Sequence, residues 1–306
     1  MSKSLELFHG EASPAEARIY ARVAAESEVS NLRSQMSLTG QLIGPTCDFA
    51  RTLPARIPFI QRYKDEQLLA EAIIPDPCFW TPELPFLYRA EVELRRGSEV
   101  LAEWSRITGI RRLGVRGKSL FFEGKRFVLR GQWSEFRISN LRSQIERAAA
   151  LARETWTALV VSLPDDDVCD FASRRGILLI ADLGRRQSGL SEMIKELRRL
   201  ARWPAVVIAV LASDTELPAD IQSIAPNLLL AHYVPADEQL QMRPWAQLGF
   251  TDVQSPADFV NKAAASRAPV VAIRRAPADS LQQSRAACDA LQMELAPYGD
   301  FAGYVV

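Results

Sequence analysis

The sequence predicts a chain of α/β plus all-β class, an immunoglobulin-like β-sandwich followed by a shortened (β/α)8 TIM-type barrel. Three observations lead there. The first third alternates short strand-like runs with turn residues at sandwich spacing. From about Leu113 the rhythm changes, and short β-branched runs alternate with amphipathic helical ones, which implies a parallel sheet covered by helices. A hairpin opens that second part, and with the count of about eight strands it favours a closed barrel over a doubly wound sheet.

In chain order, residues 17–24, 33–43, 56–61, 68–74, 86–94 and 100–106 fit strands. Gly40, Gly44-Pro45, Pro54, Pro75 to Pro77 and Arg96-Gly97 punctuate them, as turn residues do. The run Tyr88-Arg89-Ala90-Glu91-Val92-Glu93-Leu94 alternates with period two, the mark of a half-buried antiparallel strand. A sandwich of about seven strands needs about 100 residues. Residues 1–112 are therefore assigned to it, and residues 113–306 to the barrel.

The barrel region opens with a hairpin, 119–122 and 126–129, joined at Glu123-Gly124-Lys125. Ser139 or Asn140 caps a helix whose apolar positions Leu141, Ile145, Ala148, Leu151 and Ala152 recur at helical spacing. A strand at 158–163, a helix at 166–174 and a strand at 177–181 follow. Ser191 caps a helix built on Met193, Ile194, Leu197 and Leu200, with strands at 205–211 and 227–232 after it. Ser255-Pro256 opens another helix, Pro being suited to the first turn. A strand at 269–273, a helix at 280–295 and a last strand at 301–306 complete the chain. Residues 113–306 fall short of the roughly 200 residues that such a barrel uses, so some helices must be short or missing.

Composition narrows the function. Of 306 residues, 48% are hydrophobic and 24% charged, with Lys+Arg and Asp+Glu both at 37. That balance points to neither a nucleic-acid nor an anionic-membrane partner. The basic pairs Arg111-Arg112, Arg174-Arg175 and Arg274-Arg275 read as solvated faces. The apolar runs 158–163, 177–181 and 204–212 fall far short of the roughly 20 residues of a membrane helix. The first 18 residues lack a leader-like apolar core. Cys47, Cys78, Cys169 and Cys288 are scattered, with no CxxC pair and few histidines for a zinc site. A reduced cytoplasmic protein without metal or cofactor is expected, although a chain trimmed of a leader would look the same.

Residues 75–131 carry the most specific pattern. Trp80, Pro82, Glu83, Pro85, Leu87 and Tyr88 fall in a P-x-x-W-x-P-E-x-P-x-L-Y segment. Gly109-Ile110-Arg111 follows, and then Gly124 to Gly131 in a G-K-x-x-x-L-R-G hairpin. This resembles the sandwich-to-barrel junction of glycoside hydrolase family two, the clan of β-galactosidases and β-glucuronidases. The resemblance implies a sandwich, a barrel and hydrolysis of O-glycosidic bonds. It also implies a preceding jelly-roll domain, for which the sequence has no room. Most of the matching residues are framework, so they speak to fold rather than activity.

The positions that the resemblance makes functional depart from the pattern. After Arg130-Gly131 the family usually carries Asn and then His, whereas Gln132-Trp133-Ser134-Glu135 stands here. At the second barrel strand, Leu159 and Ser162 take the places of Arg and His. The acid/base segment aligns with 202–214 and puts Ser213-Asp214 where Asn-Glu is usual. The nucleophile segment aligns with 269–274 and puts Arg274 in the nucleophile's place. A retaining glycosidase needs two carboxyl groups about 5–5.5 Å apart. A guanidinium is cationic and fully protonated, so it cannot attack C1. Asp214 is one methylene short of Glu, an offset of roughly 1 Å that can cost about 10²-fold.

The leading expectation is a glycosidase-derived scaffold without hydrolytic activity, binding a carbohydrate or a protein partner, or a second copy of itself, through the old active-site face. Trp133, Glu135, His232 and Tyr233 are its candidate contacts, with Trp203 and Trp245 as further aromatics near strand ends. The alternative is a divergent glycosidase with Asp214 as general acid and Asp182 or Glu216 as base, an inverting pair needing about 6.5–9.5 Å. A triad of Ser162 or Ser213 with His232 and Asp182 has little other material, because the chain holds only His9 and His232.

Overall fold

A computed structural model describes residues 4–23, 36–64, 67–133, 141–184, 189–275 and 280–306. The chain forms two compact units, Met1–Arg111 with Ala201–Pro204, and Arg112–Leu200 with Ala205–Val306.

The first unit is a sandwich of two four-stranded antiparallel sheets. One sheet holds β1 (Leu5–Ala12), β2 (Glu16–Val23), β6 (Gln67–Pro75) and β5 (Ile60–Lys64), in that order. The other runs β4 (Ala55–Pro58), β3 (Met36–Thr46), β7 (Leu87–Arg96) and β8 (Glu99–Thr108). Alternation decides the facing: Ala17, Ile19 and Ala21 of β2 and Ala90, Val92 and Leu94 of β7 are buried in one core with Leu38 and Leu42.

Eight strands stand where about seven were expected. The strand at Leu5–Ala12 adds to those the sequence predicts, and the run 56–61 divides in two. Pro58 ends β4 against β3, the Phe59 amide donates to the Gly40 carbonyl at 2.9 Å, and β5 then joins β6 in the opposite sheet. The junction motif is framework. Trp80 is fully buried and its amide donates to the Ile110 carbonyl at 2.6 Å. The Tyr88 hydroxyl accepts from the Cys78 amide at 2.9 Å. Arg111, expected on a solvated face, is only 3% exposed and donates to the carbonyls of Trp203 and Pro204.

The second unit opens with a small antiparallel sheet of β9 (Leu113–Arg116), β10 (Ser119–Phe122) and β11 (Lys125–Phe127). The hairpin is therefore shorter than read, because Leu129 already belongs to the barrel. Eight parallel strands close that barrel: β12 (Leu129–Trp133), β13 (Thr157–Ser162), β14 (Leu179–Asp182), β15 (Val206–Ala212), β16 (Leu229–Val234), β17 (Leu248–Asp252), β18 (Val270–Ile273) and β19 (Gly303–Val305). The sequence pattern does not predict β17.

Helices α1 (Leu141–Thr155), α2 (Asp166–Arg175), α3 (Leu190–Ala201), α5 (Pro256–Ala265) and α6 (Leu281–Leu295) join successive strands, while α4 (Ile221–Ile224) is a single turn. Caps fix several starts: Asp165, Ser255 and Ser280 each accept an amide from the first turn that follows. Between β16 and β17 no helix forms, and residues 235–247 cross as a loop. The shortened barrel thus lacks one helix and nearly lacks another. Among the described residues, no helix is long and apolar enough to cross a membrane.

Candidate binding site at the barrel mouth

Strand alternation sorts the side chains of the later barrel. Val234, Val253, Val270 and Ala272 pack outward with Phe259, Ala263, Cys288 and Leu291 of the covering helices. Their neighbours in sequence therefore point inward or to the mouth at the C-terminal strand ends, where such barrels carry their chemistry. By that rule Tyr233, Asp252, Ile273 and Arg275 share the mouth side, while His232, Thr251 and Arg274 share the outer side.

The contacts follow. The Arg275 guanidinium lies 4.7 Å from the Trp133 ring centroid and 5.8 Å from that of Tyr233. The two rings are 6.5 Å apart and tilted by 59°. The Tyr233 hydroxyl donates to Asp252 Oδ2. Burial and that bond push the phenol up to about 12. Arg275 is itself exposed, and among the described residues no acceptor meets its N–H groups. Cation–π contact holds the guanidinium against both rings without using its N–H groups.

On the neighbouring arc, Ser162 Oγ donates to Asp182 Oδ2 at 3.1 Å and the Gly184 amide donates to Oδ1 at 3.0 Å. Asp182 is 6% exposed. Ser213 Oγ donates to Glu238 at 3.2 Å and its carbonyl accepts from Arg243 Nε at 2.6 Å, while the carboxylates of Asp214 and Glu216 are exposed in the loop after β15.

Other expected site residues stand elsewhere. Arg274 turns outward to Glu294 of α6, in a two-point ion pair of 2.5 and 2.9 Å. The seventh strand still ends in a guanidinium at the mouth, but Arg275 supplies it. His232 is 1% exposed and lies on the outer side, edge-on to Trp245 at 6.2 Å and 87°. Among the described residues neither of its ring nitrogens has a partner, so it joins no triad with Ser162 and Asp182. Burial, and secondarily Arg243, lower it from 6.5 to about 4. Trp203 is buried beneath Arg202, and the Trp245 indole donates to the Thr215 carbonyl at 3.0 Å. Glu135 lies outside the described residues.

Arg275 and Asp252 are not among the site residues that the sequence predicts. Period two from Val271 through Ile273 reaches Arg275 and would have found the first. Recognising β17 would have found the second.

Residues 9–111 match the family model described as glycosyl hydrolases family 2. The chain resembles that family. No curated protein sequence matches it. Among solved structures, Bacteroides uniformis beta-glucuronidase 2, covalently bound to cyclophellitol-6-carboxylate aziridine, aligns at TM-score 0.66 and 14% identity over 98% of this chain and 45% of that one. The beta-glucuronidase from Ruminococcus gnavus in complex with D-glucuronic acid gives 0.67 and 11% over 98% and 60%. Bifidobacterium dentium beta-glucuronidase with coumarin-3-O-glucuronide gives 0.64 and 13% over 98% and 59%. The chain thus spans about half the length of these family-2-like structures, which share its sandwich and barrel.

Proposed function

We propose that the barrel mouth binds an anionic sugar without hydrolysing it. One observation carries the proposal: where a retaining mechanism needs a carboxylate at the end of the seventh strand, Arg275 lies in cation–π contact with Trp133 and Tyr233 and meets no acceptor among the described residues. A cation there opposes an oxocarbenium-like transition state and cannot attack C1. The same cation suits a carboxylate, and an aromatic face suits a pyranose ring. The glucuronic acid bound by one structurally similar protein is a ligand of that chemical class.

Two measurements test this. A panel of nitrophenyl α- and β-glycosides, including the β-glucuronide, should show no turnover above buffer. Binding of D-glucuronate by ligand-observed NMR should exceed that of D-glucose and should fall about tenfold in Arg275→Gln, the order expected for a charged hydrogen-bonded contact. Turnover that disappears in Asp214→Asn would overturn the proposal in favour of a divergent glycosidase. Equal, weak binding of both sugars would remove the anion-binding part of it.

A further inference from the structure

The outer side of β16 and β17, where the barrel lacks a helix, is built differently from the rest. Residues 235–247 cross it as a loop, and a cleft of about 740 Å³ lies between that loop and α5. A volume of that size holds a small organic ligand. Leu240, Met242, Ala246 and Ala265 supply apolar lining, and the charged lining residues are Lys262 and Arg267. Both are cations, and among the described residues no carboxylate lines the cleft.

Lys262 directs its ammonium to the carbonyls of Ala236 and Pro235, which leaves one of its three N–H donors uncommitted. Arg267 is exposed at the rim, and among the described residues no carboxylate pairs with it. Behind the apolar lining sits a polar group without a partner. Around the point where a Cβ on Gly249 would lie, Leu240 Cδ1 is at 2.9 Å, Met242 Sδ at 3.5 Å and His232 Nε2 at 3.6 Å. Both His232 nitrogens are buried and unbonded there, as is Thr251 Oγ1 on the adjacent strand.

We infer that this cleft binds a small amphipathic anion, a carboxylate on an apolar body such as a medium-chain acyl acid. The chain packs on Leu240, Met242 and Ala265 in the space that a barrel helix would fill, and the carboxylate meets Lys262 and Arg267 at the rim. The inference is independent of the sugar-binding reading, because His232 and Tyr233 point to opposite sides of β16.

The test uses decanoate below its micellar concentration and reads the imidazole resonances of the whole chain. Only two histidines are present, His9 and His232, and loss of one signal in His232→Leu assigns them. Decanoate should shift His232 saturably and leave His9 in place, while decyltrimethylammonium at the same concentration should leave both unmoved. Arg267→Glu should weaken decanoate binding about fivefold, the order of one partly exposed charge contact. Ala265→Trp, an exposed helix position facing the cleft, should abolish the shift while the melting temperature stays near that of the parent chain. A His232 signal unmoved by decanoate, an equal response to the cation, or full binding in Ala265→Trp would each overturn the inference.

Discussion

Acidification provides the sharpest test of how His232 is buried. Its imidazole is 1% exposed, neither nitrogen is bonded, and burial holds it at about 4 rather than 6.5. Arg243, the charged group that adds to this, also disfavours the imidazolium. A histidine lowered in the folded state is neutral there while the unfolded chain takes up a proton. Its contribution to stability is therefore complete above pH 6.5 and is lost as the pH falls through about 4. At about 1.4 kcal/mol per pH unit, the full effect is about 3 kcal/mol, of which about 2 kcal/mol is already lost at pH 5.

His9 is lowered to about 4 as well, mainly by burial, so the wild-type chain carries both effects. The variant His232→Leu separates them. It removes two buried unbonded nitrogens and should cost little at pH 7.5, since replacing an unsatisfied group by an apolar one of similar size is close to neutral. Urea titrations followed by circular dichroism at pH 7.5 and pH 5.0 should then show a loss about 2 kcal/mol smaller in His232→Leu than in the parent. An NMR titration should place the His232 midpoint near 4. If both chains lose the same stability, or if His232 titrates near 6.5, the imidazole is solvated or bonded and the reasoning fails.

Three further outcomes follow from packing. A Cβ on Gly303 would meet Leu129 Cβ at 2.5 Å and its carbonyl oxygen at 2.7 Å, so Gly303→Ala should cost about 2–3 kcal/mol and lower the melting temperature by about 5–10 °C. Gly114→Ala, with nothing within 4 Å, should lower it far less. Phe259 is 1% exposed and packs edge-on to Phe301 at 4.8 Å, so Phe259→Ala should cost about 3–5 kcal/mol in urea titrations. Burial raises the thiols of Cys169 to about 12 and Cys288 to about 11. A chromogenic disulfide at pH 8 should therefore label Cys47 first and reach those two only after denaturant is added.

The sandwich and the barrel are legible in the sequence where one period dominates. Tyr88 to Leu94 alternates cleanly, and the apolar runs at 158–163 and 205–211 lie within or beside strands β13 and β15. The elements that escaped break the period for local reasons. In β17, Gly249 interrupts the apolar run because Leu240 packs where its side chain would be, an instance of Gly marking close approach in a strand. In β1, Leu7 and Phe8 stand side by side and Gly10 follows, so the alternation begun by Leu5 and Glu6 is broken. The division of 56–61 depends on the Phe59 bond to Gly40, a contact between distant residues that no local pattern encodes. At the mouth, one residue of register separates Arg274 from Arg275. Alignment to the family segment selects the first, whereas strand alternation selects the second.

That one-residue difference shows why fold and chemistry separate in this chain. Along β18 the outward residues Val270 and Ala272 join the apolar cluster of the covering helices, and Arg274 continues that side with its ion pair to Glu294. The mouth side ends in Arg275, which contributes nothing to the outer packing. The same division holds on β16, where His232 is walled in by Trp245 while Tyr233 reaches Asp252 at the mouth. Outward residues close the barrel whatever stands at the strand ends. The charge at the mouth end of a strand can therefore differ without a change in the outer packing, because the two sides of each strand answer to different neighbours. The family-2-like fold consequently predicts what the barrel looks like and leaves the charge at its mouth to decide what it does.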